Sequence, residues 1–212
     1  RSRGLGDVYK RQLQECLTQI SFLALCAFVN RLGLEASSGY GVACKIVNFA
    51  MLIPSSLMQS MASFVSQNVG AGNEKRAKNA MFTGIGVGVL IGVVVFALVL
   101  LKGDFLTGIF TTDADVIQKG YDYLKGFALE TIVTAILFSM IGYFNGHDQT
   151  MWVMAQGLIQ TLLIRLPLAY YMSIQPNASL TNIGFAAPVA TIFGIVLNIG
   201  FFVWMNKARK CI

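Results

Sequence analysis

The sequence has 212 residues, of which 55% are hydrophobic and only 12% charged, and its mean hydropathy is +0.64. A soluble domain carries about 25% charged residues, so this composition excludes an ordinary soluble domain and points to a polytopic membrane protein with lipid as its surroundings. The formal charge of +6 then reads as loop topology and not as a nucleic-acid surface, because Lys and Arg in short loops mark the cytoplasmic side.

Residues 1–12, RSRGLGDVYKRQ, are polar, basic and aperiodic, and they lack the apolar core of a signal peptide. They read as a non-native leader, a sequencing artefact, so the natural protein is expected to extend upstream. The remainder, 13–210, is expected to be all-α: six transmembrane helices at about 13–33, 40–68, 78–101, 117–144, 150–172 and 182–205.

The first segment is apolar with Glu15, Thr18, Gln19 and Asn30 embedded, and a short loop with Glu35 and two serines is expected after it. The second, 40–68, exceeds the ~20 helical residues a hydrocarbon core requires. Pro54 in its middle predicts a kink, tolerated because neighbouring helices can satisfy the freed carbonyl. The run Val69-Gly70-Ala71-Gly72-Asn73 ends it, with glycines suited to a left-handed helix C-terminus and Asn73 as the N-cap of the next helix. In the third segment Ala80, Gly84, Gly88 and Gly92 recur every four residues, a small-residue stripe that lets another helix approach closely.

A link carrying Asp104, Asp113 and Asp115 leads to the fourth segment, which starts amphipathic and becomes apolar around Glu130. The tight turn 145–149 holds the only histidine, His147, read as a solvated loop residue. The fifth segment contains Gln156, Gln160, Arg165 and Pro167, and the sixth Pro188 and Asn198. Cysteines at 16, 26, 44 and 211 have no Cys-x-x-Cys spacing and no nearby histidine, so neither a zinc site nor a disulfide framework is expected. Six spans put both ends on one side. With the 72–78 loop inside, Lys75, Arg76, Lys78, Lys207, Arg209 and Lys210 lie inside, against Arg31, Lys102 and Lys119 outside.

Pro54-Ser55-Ser56, the run SMASFVSQNVGAG and the following RAKNA resemble the multidrug and toxic compound extrusion (MATE) family, in which such a helix–loop–helix occurs once in each half. The resemblance runs from about Leu13 to the C-terminus. It implies one six-helix lobe, the C-terminal one, of a twelve-helix antiporter of the cell membrane, the inner membrane of a bacterium. Such transporters exchange Na+ or H+ for organic cations and other toxic compounds, with no other cofactor, and the partner implied is the missing N-terminal lobe.

A charge at helix centre costs ~2.5–3.5 kcal/mol on insertion scales, so each one needs a reason. Glu130 and Arg165 each lie about 16 residues from the 145–149 turn, roughly 24 Å from one membrane face. They are candidates for a buried ion pair or for a cation-coupling carboxylate with its neighbour, with Glu15 as a second acid. Lys45 is read as snorkelling to the interface. Gln19, Asn48, Gln59, Gln156, Gln160 and Asn198 are candidate cavity-lining amides, and Met51, Met58 and Met61 are read as packing. Matching Val29-Asn30-Arg31-Leu32-Gly33 and Asn145-Gly146 to the family places Thr18 and Thr134 where the sodium-coupled branch has its C-lobe carboxylates. Those two threonines therefore join the candidates, one turn from Glu15 and Glu130. No HExxH or GxSxG motif and no His/Cys/Asp cluster supports an enzyme or a metal site. The alternatives are a lipid-linked precursor flippase of related fold and a non-catalytic membrane subunit.

Overall fold

The computed structural model describes residue 16, residues 20–176 and residues 178–208. Glu15, Thr18, Gln19, Asn177 and Cys211 lie outside the described residues. Helix α1 covers Ile20–Asn30, and Gly33, at φ 105°, turns the chain into α2, Leu34–Gly70. The loop expected around Glu35 is therefore helical. A glutamate in the first turn faces the positive end of the helix dipole, which favours it there.

Helix α2 runs on through Pro54 and closes at Gly72, whose φ is 76°. The Asn73 amide donates to the Asn68 carbonyl at 2.8 Å and the Gly72 amide to Val69 at 3.0 Å, the paired closure that glycine at this position permits. Asn73 makes no side-chain cap for α3, Glu74–Gly108, because its backbone is turned to complete that closure. Helix α3 continues past a non-helical Lys102, shortening the expected link. The Asp113 carboxylate then accepts from the Asp115 and Val116 amides, 3.0 and 3.3 Å, and caps α4, Ala114–Phe127.

The fourth expected span is not one straight helix. Helices α4 and α5, Glu130–Gly146, meet at a 48° bend. The Thr131 hydroxyl donates both to Ala128 O, 2.8 Å, and across to Gly92 O of α3, 3.1 Å, the kind of hydroxyl back-bonding that bends helices. The fifth is likewise interrupted: α6, Thr150–Leu158, passes through a π-helical segment, Ile159–Arg165, into α7, Leu166–Ser173. The Pro167 ring would strike the carbonyl four residues earlier, and a wider turn relieves that clash. Helix α8, Leu180–Ala208, ends the described chain.

Helices α2, α3, α8 and the α6–α7 unit are each long and apolar enough to cross a membrane, and the bent α4–α5 pair makes a fifth. With the apolar α1 they form an all-helical bundle, without strands among the described residues. The glycine stripe of α3 lies on α5. A Cβ at Gly92 would stand 2.6 Å from the Thr131 carbonyl, and one at Gly88 would stand 3.1 Å from the Ala135 Cβ. Two apolar cores result. One gathers Val29, Ala43, Leu124, Ala128 and Ala187; the other Met61, Val65, Met81, Tyr143, Phe144 and Met205. Of the three methionines read as packing, Met61 belongs to the second core and Met51 lies against the first, while Met58 is half-buried and in neither. His147 is buried, contrary to its reading as a solvated turn residue, because the N-terminus of α3 closes over it.

Candidate functional site

Helix α8 runs from the first apolar core to the second, α5 begins two residues after Ala128 of the first and ends in the second, and both carry buried polar side chains. Glu130 stands on the first turn of α5, directly after the bend, with Thr134 one turn further on. Along α8, Thr191, Gly194 and Asn198 follow at spacings of three and four, so they share one face. Against them lie Gln156 of α6 and Gln160 of the π segment. All of these except the half-buried Gln160 are buried.

The side chains form a directional chain of hydrogen bonds. Gln156 Nε2 donates to Gln160 Oε1 at 2.6 Å, Gln160 Nε2 to Thr191 Oγ1 at 3.1 Å, and Thr191 Oγ1 to Glu130 Oε1 at 2.8 Å. Every donor points towards the carboxylate. Bonds aligned in this way polarise one another, and the last becomes charge-assisted whenever the carboxyl group is ionised. The N-terminus of α5 adds a dipole that favours negative charge at Glu130.

Three buried oxygens of this group make no hydrogen bond of ordinary geometry, Glu130 Oε2, Thr134 Oγ1 and Gln156 Oε1, and the Thr134 hydroxyl is near enough to Glu130 to interact with its carboxyl group. A chain of donors thus ends at an acid that keeps acceptor capacity to spare. A proton or a hard monovalent cation suits such a group, since both bind oxygen. Gly194 makes the arrangement possible. A Cβ there would run into Gln160 Oε1 and stand 2.6 Å from Gln156 Nε2, so only glycine lets both amides lie against the α8 backbone. Further along, Trp152 Nε1 donates to Asn198 Oδ1 at 2.9 Å, and its ring stacks on Phe201 at 4.3 Å, which fixes α6 to α8.

Glu130, Thr134, Gln156, Gln160 and Asn198 are thus brought to one region. Arg165 is not in it as an ion-pair partner, and among the described residues no salt bridge joins it to Glu130. Its guanidinium lies 5.1 Å over the Phe22 ring; it acts on Glu130 through its charge and on Tyr123 through its charge and a side-chain hydrogen bond. Equal depth in the membrane fixes height but not direction around the helix, and the π segment lies between Gln160 and Arg165. Thr191 and Trp152 complete the network without standing out in the sequence. The available signal is that Thr191 and Asn198 are seven residues apart, two turns of one face.

Asn48 and Gln59 lie elsewhere, exposed on α2. Lys45, Asn48, Ser56, Gln59, Ser63 and Ser66 are all exposed there, within about 80° of the helix circumference at 3.6 residues per turn. Lys45 Nζ reaches over the Phe110 ring at 5.7 Å.

A family model, MatE, matches residues 12–171. The chain belongs to the MatE family. Among curated relatives it is 22% identical over 197 residues to the "Probable multidrug resistance protein YoeA" of Bacillus subtilis, covering 90% of this chain and 42% of that protein. It is 28% identical over 170 residues to the multidrug export protein MepA of Staphylococcus aureus, covering 73% and 36%. A solved outward-facing multidrug resistance MATE family transporter superposes with a TM-score of 0.87 at 14% identity, over 96% of this chain and 46% of the other. A MOP superfamily transporter of Pyrococcus furiosus, whose binding pocket is described as having reverse polarity, gives 0.82 at 13%, over 90% and 42%. The chain therefore spans less than half the length of these MatE relatives, and the likeness to the solved structures is one of fold.

Proposed function

We propose that this chain is the C-terminal six-helix lobe of a secondary antiporter. The complete protein would sit in the plasma membrane, the inner membrane of a bacterium, and export organic cations, drugs or other toxic compounds in exchange for Na+ or H+. The observation that carries the reading is the buried Glu130 carboxylate, supplied with aligned donors on one oxygen and left with open acceptor capacity on the other. An uncompensated acid at this depth is costly, and a proton or Na+ bound at Glu130 Oε2 neutralises it. Binding and release of that cation alter the charge at the bend between α4 and α5, the point of the lobe best placed to change angle.

The polar face of α2 supports the same reading. A helix surface of serine, amide and lysine is unfavourable against hydrocarbon and is satisfied against an aqueous path shared with a second lobe. Membrane lipid, the N-terminal lobe and a small organic cation are the partners this assigns. Matches to proteins named for multidrug export favour efflux as the direction, and the chemistry needs no catalytic residue.

The test is transport in proteoliposomes under an imposed Na+ or H+ gradient. The complete protein is expected to move a fluorescent organic cation against its gradient, and the 212-residue chain alone is expected to be inactive. Gradient-driven efflux by the isolated chain would overturn the half-transporter reading.

A further inference from the structure

The most constrained titratable group outside the Glu130 network is His147, at the C-terminal end of α5. Its Nδ1 lies 2.9 Å from the Tyr143 carbonyl oxygen, and its Nε2 lies 3.2 Å from both carboxylate oxygens of Glu74. A carbonyl and an ionised carboxylate are acceptors only. A neutral imidazole has one donor nitrogen and one acceptor nitrogen, so it leaves one of these contacts with two acceptors facing each other. Only the doubly protonated ring donates to both.

The surroundings favour the same state. His147 directly follows the last residue of α5, so a cation here meets the negative end of the α5 dipole. Glu74 opens α3, where an anion meets the positive end. The ring is buried against Tyr143, 4.2 Å between centroids, and the adjacent Gly146 fits against α2, where a Cβ would lie 2.6 Å from Val65 Cβ.

We propose that His147 is an imidazolium that clasps the turn between α5 and α6 to the N-terminus of α3, and that loss of its proton opens the clasp. The two turns joined are the ones the basic-loop bias assigns to the cytoplasm, so the device ties the inner end of the lobe together at low pH and frees it as pH rises. The other titratable groups on the surrounding elements are Tyr143, Lys75, Arg76 and Lys78 on α3, Asp148 in the turn itself, and Lys207 on α8. None of them forms an ion pair with His147 among the described residues, and α2 carries no titratable group from 46 to 70. The inference is independent of the role of Glu130 and of transport.

His147 is the only histidine in the chain, so 15N-histidine labelling of the full chain in lipid nanodiscs reports a single ring. Both ring nitrogens are expected to carry protons at the acid end of a pH series, and one proton to be lost as the pH is raised. As that proton leaves, amide-exchange protection at 72–76 and at 146–149, corrected for intrinsic rates, is expected to fall together by about threefold to tenfold. This range suits an ion pair with one partly exposed partner. Glu74→Gln is expected to give a singly protonated ring and low protection at every pH, and His147→Lys to hold protection high without pH dependence. A singly protonated ring in the unmutated chain at about pH 5 would overturn the proposal. So would protection at the two turns that stays constant while the ring titrates. Both readouts come from the unmutated chain, so a variant that fails to fold does not remove the test.

Discussion

Helices α2 and α3 are neighbours of nearly equal length, 37 and 35 residues, yet their mean hydropathies over the best window are 1.5 and 2.9. The difference lies on their exposed faces. Outward, α3 presents Phe82, Leu90, Val94, Leu98 and Leu101, and it has no polar side chain between 84 and 101. On α2 the polar positions from Lys45 to Ser66 spread over more than five turns and are interrupted by the exposed Leu52. Exposure in a membrane protein has two meanings, and residue chemistry separates them: α3 shows a face made for hydrocarbon and α2 one made for water or for another part of the protein. The buried faces differ as well. Stacked glycines bring α3 onto α5, whereas α2 meets α5 through Met61 and Val65 against Gly142 and Gly146.

The comparison breaks most visibly under a single charge. Leu90→Arg is expected to cost about 3 kcal/mol of membrane insertion, while Gln59→Arg on the α2 stripe inserts nearly as well as the unmutated chain; the inserted fraction in a translocation assay measures both. Equal losses at the two positions would remove the distinction between the faces. Next in size is Gly92→Leu on α3. Its side chain has to displace the Thr131 backbone, at about 1–3 kcal/mol for overpacking, and the bend ahead of Glu130 moves with it, so thermal unfolding in detergent is expected to shift downward. Gly86→Leu, where nothing lies within 4 Å of the added Cβ, is the matched control and is expected to be near neutral.

A smaller effect is expected from Thr191→Val, which removes the only hydrogen bond to Glu130 Oε1 found among the described residues. A loss of about 1–2 kcal/mol follows from the worth of such bonds to charged and intramembrane groups, and denaturation in detergent measures it. The smallest is Gln59→Ala on the polar stripe: stability within about 0.5 kcal/mol, but slower efflux by the complete transporter if that stripe lines the path. Unchanged efflux would place the α2 face against protein and not against a solute.

The sequence makes the bundle legible because membrane physics leaves few options. Long apolar runs separated by Gly72 and by the 145–149 turn can only be helices, and Gly84, Gly88 and Gly92 announce a close crossing before any partner is known. The breaks are less legible. The bend before Glu130 depends on Thr131 reaching Gly92 on another helix, and the π segment on how the chain relieves Pro167. The polar site is legible in part. Glu130, Gln156, Gln160 and Asn198 stand out as polar groups in apolar runs, but Thr191 does not, since a threonine in a membrane helix is common. Arg165 matches Glu130 in depth, yet depth says nothing about which way a side chain points. His147 is read incorrectly from its own turn because its partner, Glu74, is 73 residues away.

The account turns on Glu130, and the measurement that tests it most directly is gradient-driven efflux by the complete transporter carrying Glu130→Gln, with its folding followed in parallel. The glutamine still accepts from Thr191 but has no charge to exchange for a cation. The account predicts a protein that inserts and unfolds normally yet has lost efflux driven by either ion gradient, with no recovery on adding Arg165→Met, because the two residues are not a pair. Normal ion-driven efflux by Glu130→Gln would contradict it.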